Sequence, residues 1–132
     1  GTNLDEIDKM IQNDLNIYTD KNLRRDIAYA KEMLSFWSYA FAYIKGGSFS
    51  KDNQVNMANK FGDDMKNKLI KMVQSTAADK AVSVVQKKLF ESIGNYRKIA
   101  PNIAKKELNM LLIKIEKETN QKNFFKEILQ NI

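Results

Sequence analysis

Apolar residues recur three and four positions apart along almost the whole chain, which is the spacing that places them on one face of an α-helix. The alternation of apolar and polar residues that is typical of a half-buried strand does not occur over any comparable length. Helix-interrupting residues are rare, because the chain has one Pro and five Gly. The pattern therefore predicts helices from end to end and no strand.

Capping residues and helix breakers predict the boundaries of the first helices. The first helix is predicted from about Leu4 to Tyr18, and Thr19 or Asp20 can cap the second. The second helix is long, about 24 residues, and is predicted to stop at Gly46–Gly47, since glycine commonly ends a helix.

Ser50 is a typical N-cap and predicts the start of a third helix. Gly62 lies inside that helix, where a glycine costs about 1 kcal/mol relative to alanine. Two interpretations remain open at Gly62. Either the helix breaks there and Asp63 or Asp64 caps a second piece, or the glycine marks a close crossing of two helices.

Three further signals predict the remaining helices. The sequence from Thr76 to Asp79 resembles a capping box, with Asp in place of Glu, and predicts the start of the fourth helix. Pro101 is expected to end that helix and to begin the fifth, since proline suits the first helical turn. Asn120 or Asn123 is expected to cap a short last helix.

These helices predict an all-α fold, a compact antiparallel bundle of five or six helices with the long second helix at its centre. Residues 1–132 are expected to form a single domain, because 43% of them are hydrophobic and a chain of this size buries roughly two-thirds of its unfolded surface. The expected inward positions of the second and third helices are Leu23, Ile27, Ala30, Leu34, Trp37, Phe41, Ile44, Val55, Ala58, Phe61, Met65, Leu69 and Met72.

The second helix is unusually aromatic, since five of the 13 aromatic residues lie at positions 36–43. Beside the core stripe it carries a second aromatic face, formed by Tyr29, Phe36, Tyr39 and Tyr43. A helix that is apolar nearly all round is typically buried, which makes this face a second core face. The alternative is a partner-binding surface, because Tyr and Trp are favoured at interface hot spots. A stacking platform for bases or a flat ligand is a third interpretation.

The chain has no His and no Cys, which excludes Ser-His-Asp triads, thiolate nucleophiles and zinc sites of the usual kind. The remaining carboxylates are not paired on one helix face: Asp63 and Asp64 point about 100° apart, and Glu116 and Glu118 do not share a face. Gly46–Gly47 lacks the Lys-Ser/Thr of a phosphate-binding loop. We therefore expect no catalytic residues, no metal ligands, no cofactor and no enzymatic activity.

The charge is unevenly distributed: the net charge is +6, with −2 on residues 1–64 and +8 on residues 65–132. A basic half can indicate a nucleic-acid-binding surface. However, the chain has 19 Lys but only three Arg, together with 14 Asn and 13 Ile, which is the composition expected from a low-GC genome. The candidate nucleic-acid-binding residues are Lys80, Lys87, Lys88, Arg97, Lys98, Lys105 and Lys106, with Lys66, Lys68 and Lys71 as further candidates.

Gly1 precedes Thr2 without a start methionine, as a cleavage scar would, so an upstream segment of unknown kind is expected to have been removed. The sequence does not indicate a cellular location. Its most apolar stretch, from Met33 to Ile44, is shorter than the roughly 20 residues of a membrane span.

The sequence favours a non-enzymatic helical interaction module that binds a partner protein, or itself, through Tyr29, Phe36, Tyr39 and Tyr43. The alternative is a nucleic-acid-binding scaffold subunit that uses the basic C-terminal half.

Overall fold

The structure, a computed structural model, describes residues 21–46 and 49–132. The predicted first helix, from about Leu4 to Tyr18, and the expected cleavage scar at Gly1 lie outside these residues. The described residues are helical and contain no strand, which confirms the predicted all-α class. Their six helices are α1 (Lys21–Lys45), α2 (Lys51–Phe61), α3 (Asp63–Gln74), α4 (Ala78–Ile99), α5 (Ala104–Thr119) and α6 (Phe124–Gln130).

Two predicted boundaries in the first half of the chain are confirmed. The Ser50 side chain accepts a hydrogen bond from the backbone N–H of Asn53 at 3.2 Å and so caps α2. Gly62 separates α2 from α3 and has a φ of 92°, a conformation that suits glycine. Of the two interpretations of Gly62, the helix break is therefore confirmed. The prediction that Asp63 or Asp64 caps α3 is wrong. Both lie within its first turn, where the helix dipole favours negative charge.

The later boundaries differ from the prediction in detail. Thr76 does not cap α4, since its hydroxyl donates back to the carbonyl of Met72 at 3.0 Å and Ala77 occupies the N-cap position. A turn containing Pro101 follows α4, and α5 begins only at Ala104. Asn123 occupies the N-cap position of α6 as predicted, but with a φ of 65° and no capping bond from its side chain.

The core is organised around α1, which packs most extensively on α4 and also contacts α2 and α5. Residues 38–44 are all buried, so this half of α1 is enclosed on every side. Ala40 and Ala42 are completely inaccessible, and their small side chains allow neighbouring helices to approach closely. The buried hydroxyl of Ser38 donates to the carbonyl of Leu34 at 2.6 Å, which satisfies the polar group within the helix itself.

One predicted core position is wrong, and another is confirmed in part. Val55 is 54% exposed, whereas Met57, two residues later on α2, is completely buried. Trp37 is only partly buried, although it packs against the core. The Val55 error is one of helix phase, because an apolar stripe does not fix which of its edges faces the neighbouring helix.

Met57 and Val55 offer a matched test of this packing. Met57→Ala is expected to lower the free energy of unfolding by about 2–5 kcal/mol, because it opens a cavity in the core. Val55→Ala is expected to change it by less than about 0.5 kcal/mol, since its side chain is largely in solvent and alanine favours the helix. Urea unfolding followed by circular dichroism measures both, and equal losses would contradict the observed phase of α2.

Candidate functional site

The structure separates the four residues of the predicted aromatic face. Tyr29 is 63% exposed, whereas Phe36, Tyr39 and Tyr43 are buried. The prediction that these residues form one exposed partner-binding surface is therefore wrong for the last three, which belong to the core. Tyr29 alone among them is accessible to a partner.

The buried members of the face contribute aromatic packing. Phe36 meets Trp37 and Phe61 edge-on, with ring centroids 4.9 and 5.3 Å apart. Tyr39 packs at longer range against Phe61 and Tyr43. The contacts with Phe61 join α1 to the end of α2, and those of Phe36 are of the favourable edge-to-face kind. They explain why the C-terminal half of α1 is aromatic without requiring a ligand.

The buried hydroxyl of Tyr39 is held by α5. It donates to Glu118 Oε2 at 2.6 Å, and Lys60 Nζ of α2 lies 3.4 Å from the same oxygen. The Lys60 ammonium also lies 4.7 Å from the centre of the Tyr39 ring, within range of a cation–π interaction. This group of three side chains connects α1, α2 and α5 at one point.

Ionisation within this group favours a charged carboxylate beside a neutral phenol. Burial, reinforced by the hydrogen bond to Glu118, raises the pKa of Tyr39 far above its usual value. The bond from Tyr39 lowers the pKa of Glu118, Lys60 adds to this effect, and partial burial opposes it. The group therefore holds a neutral phenol, a carboxylate and an ammonium together where α1, α2 and α5 meet.

A second group of one tyrosine, one glutamate and one lysine lies nearer the N-terminus of α5. The hydroxyl of the buried Tyr96 on α4 donates to Glu107 Oε2, and Lys31 Nζ on α1 lies 2.7 Å from Glu107 Oε1. Glu107 and Glu118 are eleven residues apart, about three turns, and so lie on the same face of α5. Each carboxylate therefore accepts a hydrogen bond from a buried tyrosine and pairs with a lysine of another helix.

The N-terminal half of α1 is open on one side, unlike the enclosed half. Tyr29, Met33 and Trp37 follow one another at four-residue intervals, and all three remain at least partly accessible. They form the floor of an apolar depression between α3 and α4, which we call the α1 trough. Its α3 wall contains Met65, Lys68 and Met72, and its α4 wall contains Asn95, Lys98 and Ile99.

Two cavities make up the α1 trough. One, of about 420 Å³, lies between α1 and α4, and the other, of about 390 Å³, lies between α1 and α3. Tyr29 and Met33 line both, so the two cavities lie next to each other on the exposed face of α1. Three of the six methionines of the chain line the trough, and their flexible side chains can adapt to an incoming apolar surface.

The candidate nucleic-acid-binding residues are exposed, but they do not form one continuous site. Lys80, Lys87 and Lys98 share the outer face of α4, while Lys88 and Arg97 point about 80–100° to either side. Glu91 lies on the same outer face between Lys87 and Lys98. Lys105 and Lys106 lie on α5, where Lys105 lines a small cavity together with Arg97.

Comparison with known protein families, with curated proteins and with solved structures finds no match. Within residues 21–46 and 49–132, no group of acidic side chains is placed to hold a metal ion. No helix in that part of the chain is long and apolar enough to cross a membrane.

The sequence analysis missed the trough because it assigned Trp37, Met65 and Met72 to the core. Their apolar character is compatible with either location, and only the packing of α1 against α3 shows that they line a cavity. The signal that could have indicated the trough is the recurrence of Met at positions 33, 65 and 72, since methionine is favoured at adaptable binding surfaces.

The Tyr39–Glu118 pair predicts a specific pH dependence of stability. The pKa of Glu118 is lowered on folding from its usual 4.5, so its stabilising effect is complete above pH 4.5 and is lost as the pH falls through the folded-state value. Glu118→Gln is therefore expected to be less stable than the wild type at pH 7, with a difference that shrinks towards pH 3.

Urea unfolding across this pH range measures the difference. Glu91→Gln, at an exposed position on α4, serves as the matched control for the loss of one carboxylate elsewhere on the protein. A Glu118→Gln difference that stays constant from pH 7 to pH 3 would contradict an ionised Glu118 in the folded protein.

Proposed function

We propose that this protein is a non-enzymatic interaction module and that the α1 trough binds an amphipathic helix of a partner protein. The observation that carries the proposal is the open apolar strip of Tyr29, Met33 and Trp37 between α3 and α4. Exposed, contiguous apolar surface bordered by polar residues is typical of sites that bind other proteins.

The dimensions of the trough fit a helix. The residues of α1 that line it extend from Asp26 to Trp37, which corresponds to about 17 Å along the helix axis, or three turns of a docked helix. A helix that lies in a groove between two others inserts apolar side chains three and four residues apart. The cavities on either side of Tyr29 and Met33 can receive such side chains.

The charges at the rim favour an acidic partner. Lys68 on the α3 wall and Lys98 on the α4 wall flank the trough, and one acidic residue, Asp26, also lines it. Complementary charge increases the rate of association and the specificity more than the affinity. We therefore infer that the partner helix carries acidic residues beside its apolar stripe.

The trough depends on how α1 and α4 are oriented, and we infer that they are antiparallel members of a bundle. Asp26 lines one cavity with Ile99, at the end of α4. Lys45 lines another with Ala78, at the start of α4. The short connections between helices support the same arrangement. Such an orientation places the C-terminal part of α4 beside the open half of α1.

Nucleic-acid binding is the second candidate function, supported by the alignment of Lys80, Lys87 and Lys98 on the outer face of α4. Binding of that kind weakens steeply with added salt. Two observations place it behind the protein-binding proposal: Glu91 interrupts the lysine row, and Arg, which recognises phosphate and bases in a bidentate way, is scarce.

A designed peptide tests the proposal directly. The probe is a 15-residue amphipathic helix with Leu at three-and-four spacing and Glu at its other positions, titrated into the protein while Trp37 fluorescence is recorded. We expect saturable binding with a Kd of about 10 μM or tighter, and a blue shift of the emission as the peptide covers the only Trp.

The controls distinguish binding in the trough from non-specific binding to apolar surface. Replacing the Glu residues of the peptide with Lys, or introducing Met33→Ser, is expected to weaken binding at least tenfold, about 1.4 kcal/mol. Val55→Ser removes an exposed apolar side chain outside the trough and is expected to have no effect. Equal weakening by Met33→Ser and Val55→Ser would overturn the proposal.

A further inference from the structure

We propose that a separate cavity, bounded by Arg97 on α4, Lys105 on α5 and Leu129 on α6, binds an anionic amphiphile, a molecule whose aliphatic chain ends in a carboxylate or phosphate group. We call it the α5 cavity. Its volume is about 380 Å³, within the range of sites that bind small molecules. It shares no lining residue with the α1 trough, so the inference goes beyond the proposed function and does not depend on it.

The deep part of the α5 cavity is apolar. Ala104 and Leu108 are one turn apart on α5, and both are buried. Leu129 of α6 and Pro101, in the turn after α4, also line the cavity and remain exposed. An aliphatic chain that covers these four side chains removes apolar surface from water, which favours binding.

The charge of the α5 cavity is positive, because two cations and no acidic residue line it. Arg97 lies in the last turn of α4 and Lys105 in the first turn of α5, and both are exposed. Among the described residues, neither side chain forms an ion pair with a carboxylate. Complementary charge therefore favours an anionic ligand.

Other cavities along α4 differ in this respect. The cavity between α1 and α4 is lined by Asp26 as well as Lys98, and the cavity at the start of α4 is lined by Asp79 as well as Lys45. Each of these two cavities thus combines one acid with one lysine. Glu127, the acidic residue of α6, is paired with Lys45 and does not line the α5 cavity. The uncompensated positive charge is therefore a local feature and not only a consequence of the lysine-rich composition.

The polar side chains of the α5 cavity suit an anionic head group. A guanidinium such as that of Arg97 can donate two parallel hydrogen bonds to a carboxylate or phosphate, which a lysine cannot do. Asn109 is half-buried and lies one turn after Lys105, so both side chains reach the same region. No hydrogen bond within the described residues engages the Asn109 amide, which can donate to the same anion.

Titration of octanoate into the full chain, followed by isothermal titration calorimetry, tests the proposal. We expect saturable binding at one site with a Kd of about 0.1 mM or tighter. Acetate lacks the chain and octanol lacks the charge, so each is expected to bind at least tenfold more weakly. Octyl phosphate is compared with octanoate, and the tighter ligand identifies the preferred head group. Absence of octanoate binding, or binding of octanol as tight as that of octanoate, would overturn the proposal.

Substitutions at exposed positions test each part of the α5 cavity with little effect on folding. Arg97→Gln is expected to weaken octanoate binding at least tenfold, and Arg97→Lys less, since it keeps the charge. Lys98→Gln removes a cation from the adjacent position, which lines the trough, and is expected to have no effect. Leu129→Asn is expected to weaken binding several-fold, whereas Val55→Asn, at an exposed apolar position on α2, is not. Equal weakening by Arg97→Gln and Lys98→Gln would overturn the proposal.

The side-chain amide resonances of asparagine report where octanoate binds. In ¹⁵N-labelled protein, the Asn109 amide is expected to shift along the same binding curve that calorimetry gives. Asn95 lines the trough and serves as the matched control, whose amide is expected to stay in place. Shifts at Asn95 without shifts at Asn109, or no shift at Asn109, would overturn the α5 cavity as the binding site.

Discussion

The enclosure of one half of α1 is the constraint on which the rest of the structure depends. Residues 38–44 carry aromatic, aliphatic and small side chains on every face, and all seven are buried. A helix segment of this kind is stable only when other helices surround it, which α2, α4 and α5 do. Their positions are therefore set by the need to cover α1. The open half of the same helix extends beyond this cover between α3 and α4, so the trough is a direct consequence of the arrangement.

Polar contacts reinforce this arrangement at the places where tyrosines enter the core. Tyr39 and Tyr96 are buried, and a hydroxyl without a partner there would be costly. Glu118 and Glu107, on one face of α5, accept their hydrogen bonds, and Lys60 and Lys31 balance the carboxylates. Each group fixes α5 against two other helices through directional bonds, whereas apolar contacts alone would permit sliding. Helices fixed against one another in this way can keep an apolar depression open.

The sequence predicted the helices better than the surface. Ser50 and Gly62 have conformational roles that depend on a few neighbouring residues, which is why the cap and the break were predictable. The identity of the trough residues depends on which faces other helices cover, and that is a long-range property. Phe36, Tyr39 and Tyr43 match the pattern of an interface but are buried, whereas Trp37 matches the core stripe but lines the trough. Helical spacing alone could not distinguish these cases, because both faces are aromatic.

The methionine methyl groups provide the most direct test that the trough is a binding site for a helix. Met33, Met65 and Met72 line it, whereas Met57 is in the core and Met110 lies on α5. When the acidic amphipathic peptide is titrated into methyl-labelled protein, the resonances of Met33, Met65 and Met72 are predicted to shift together along one binding curve. Met57 and Met110 should stay in place. Shifts confined to Met57 or Met110, or no shift at any methionine, would contradict the account.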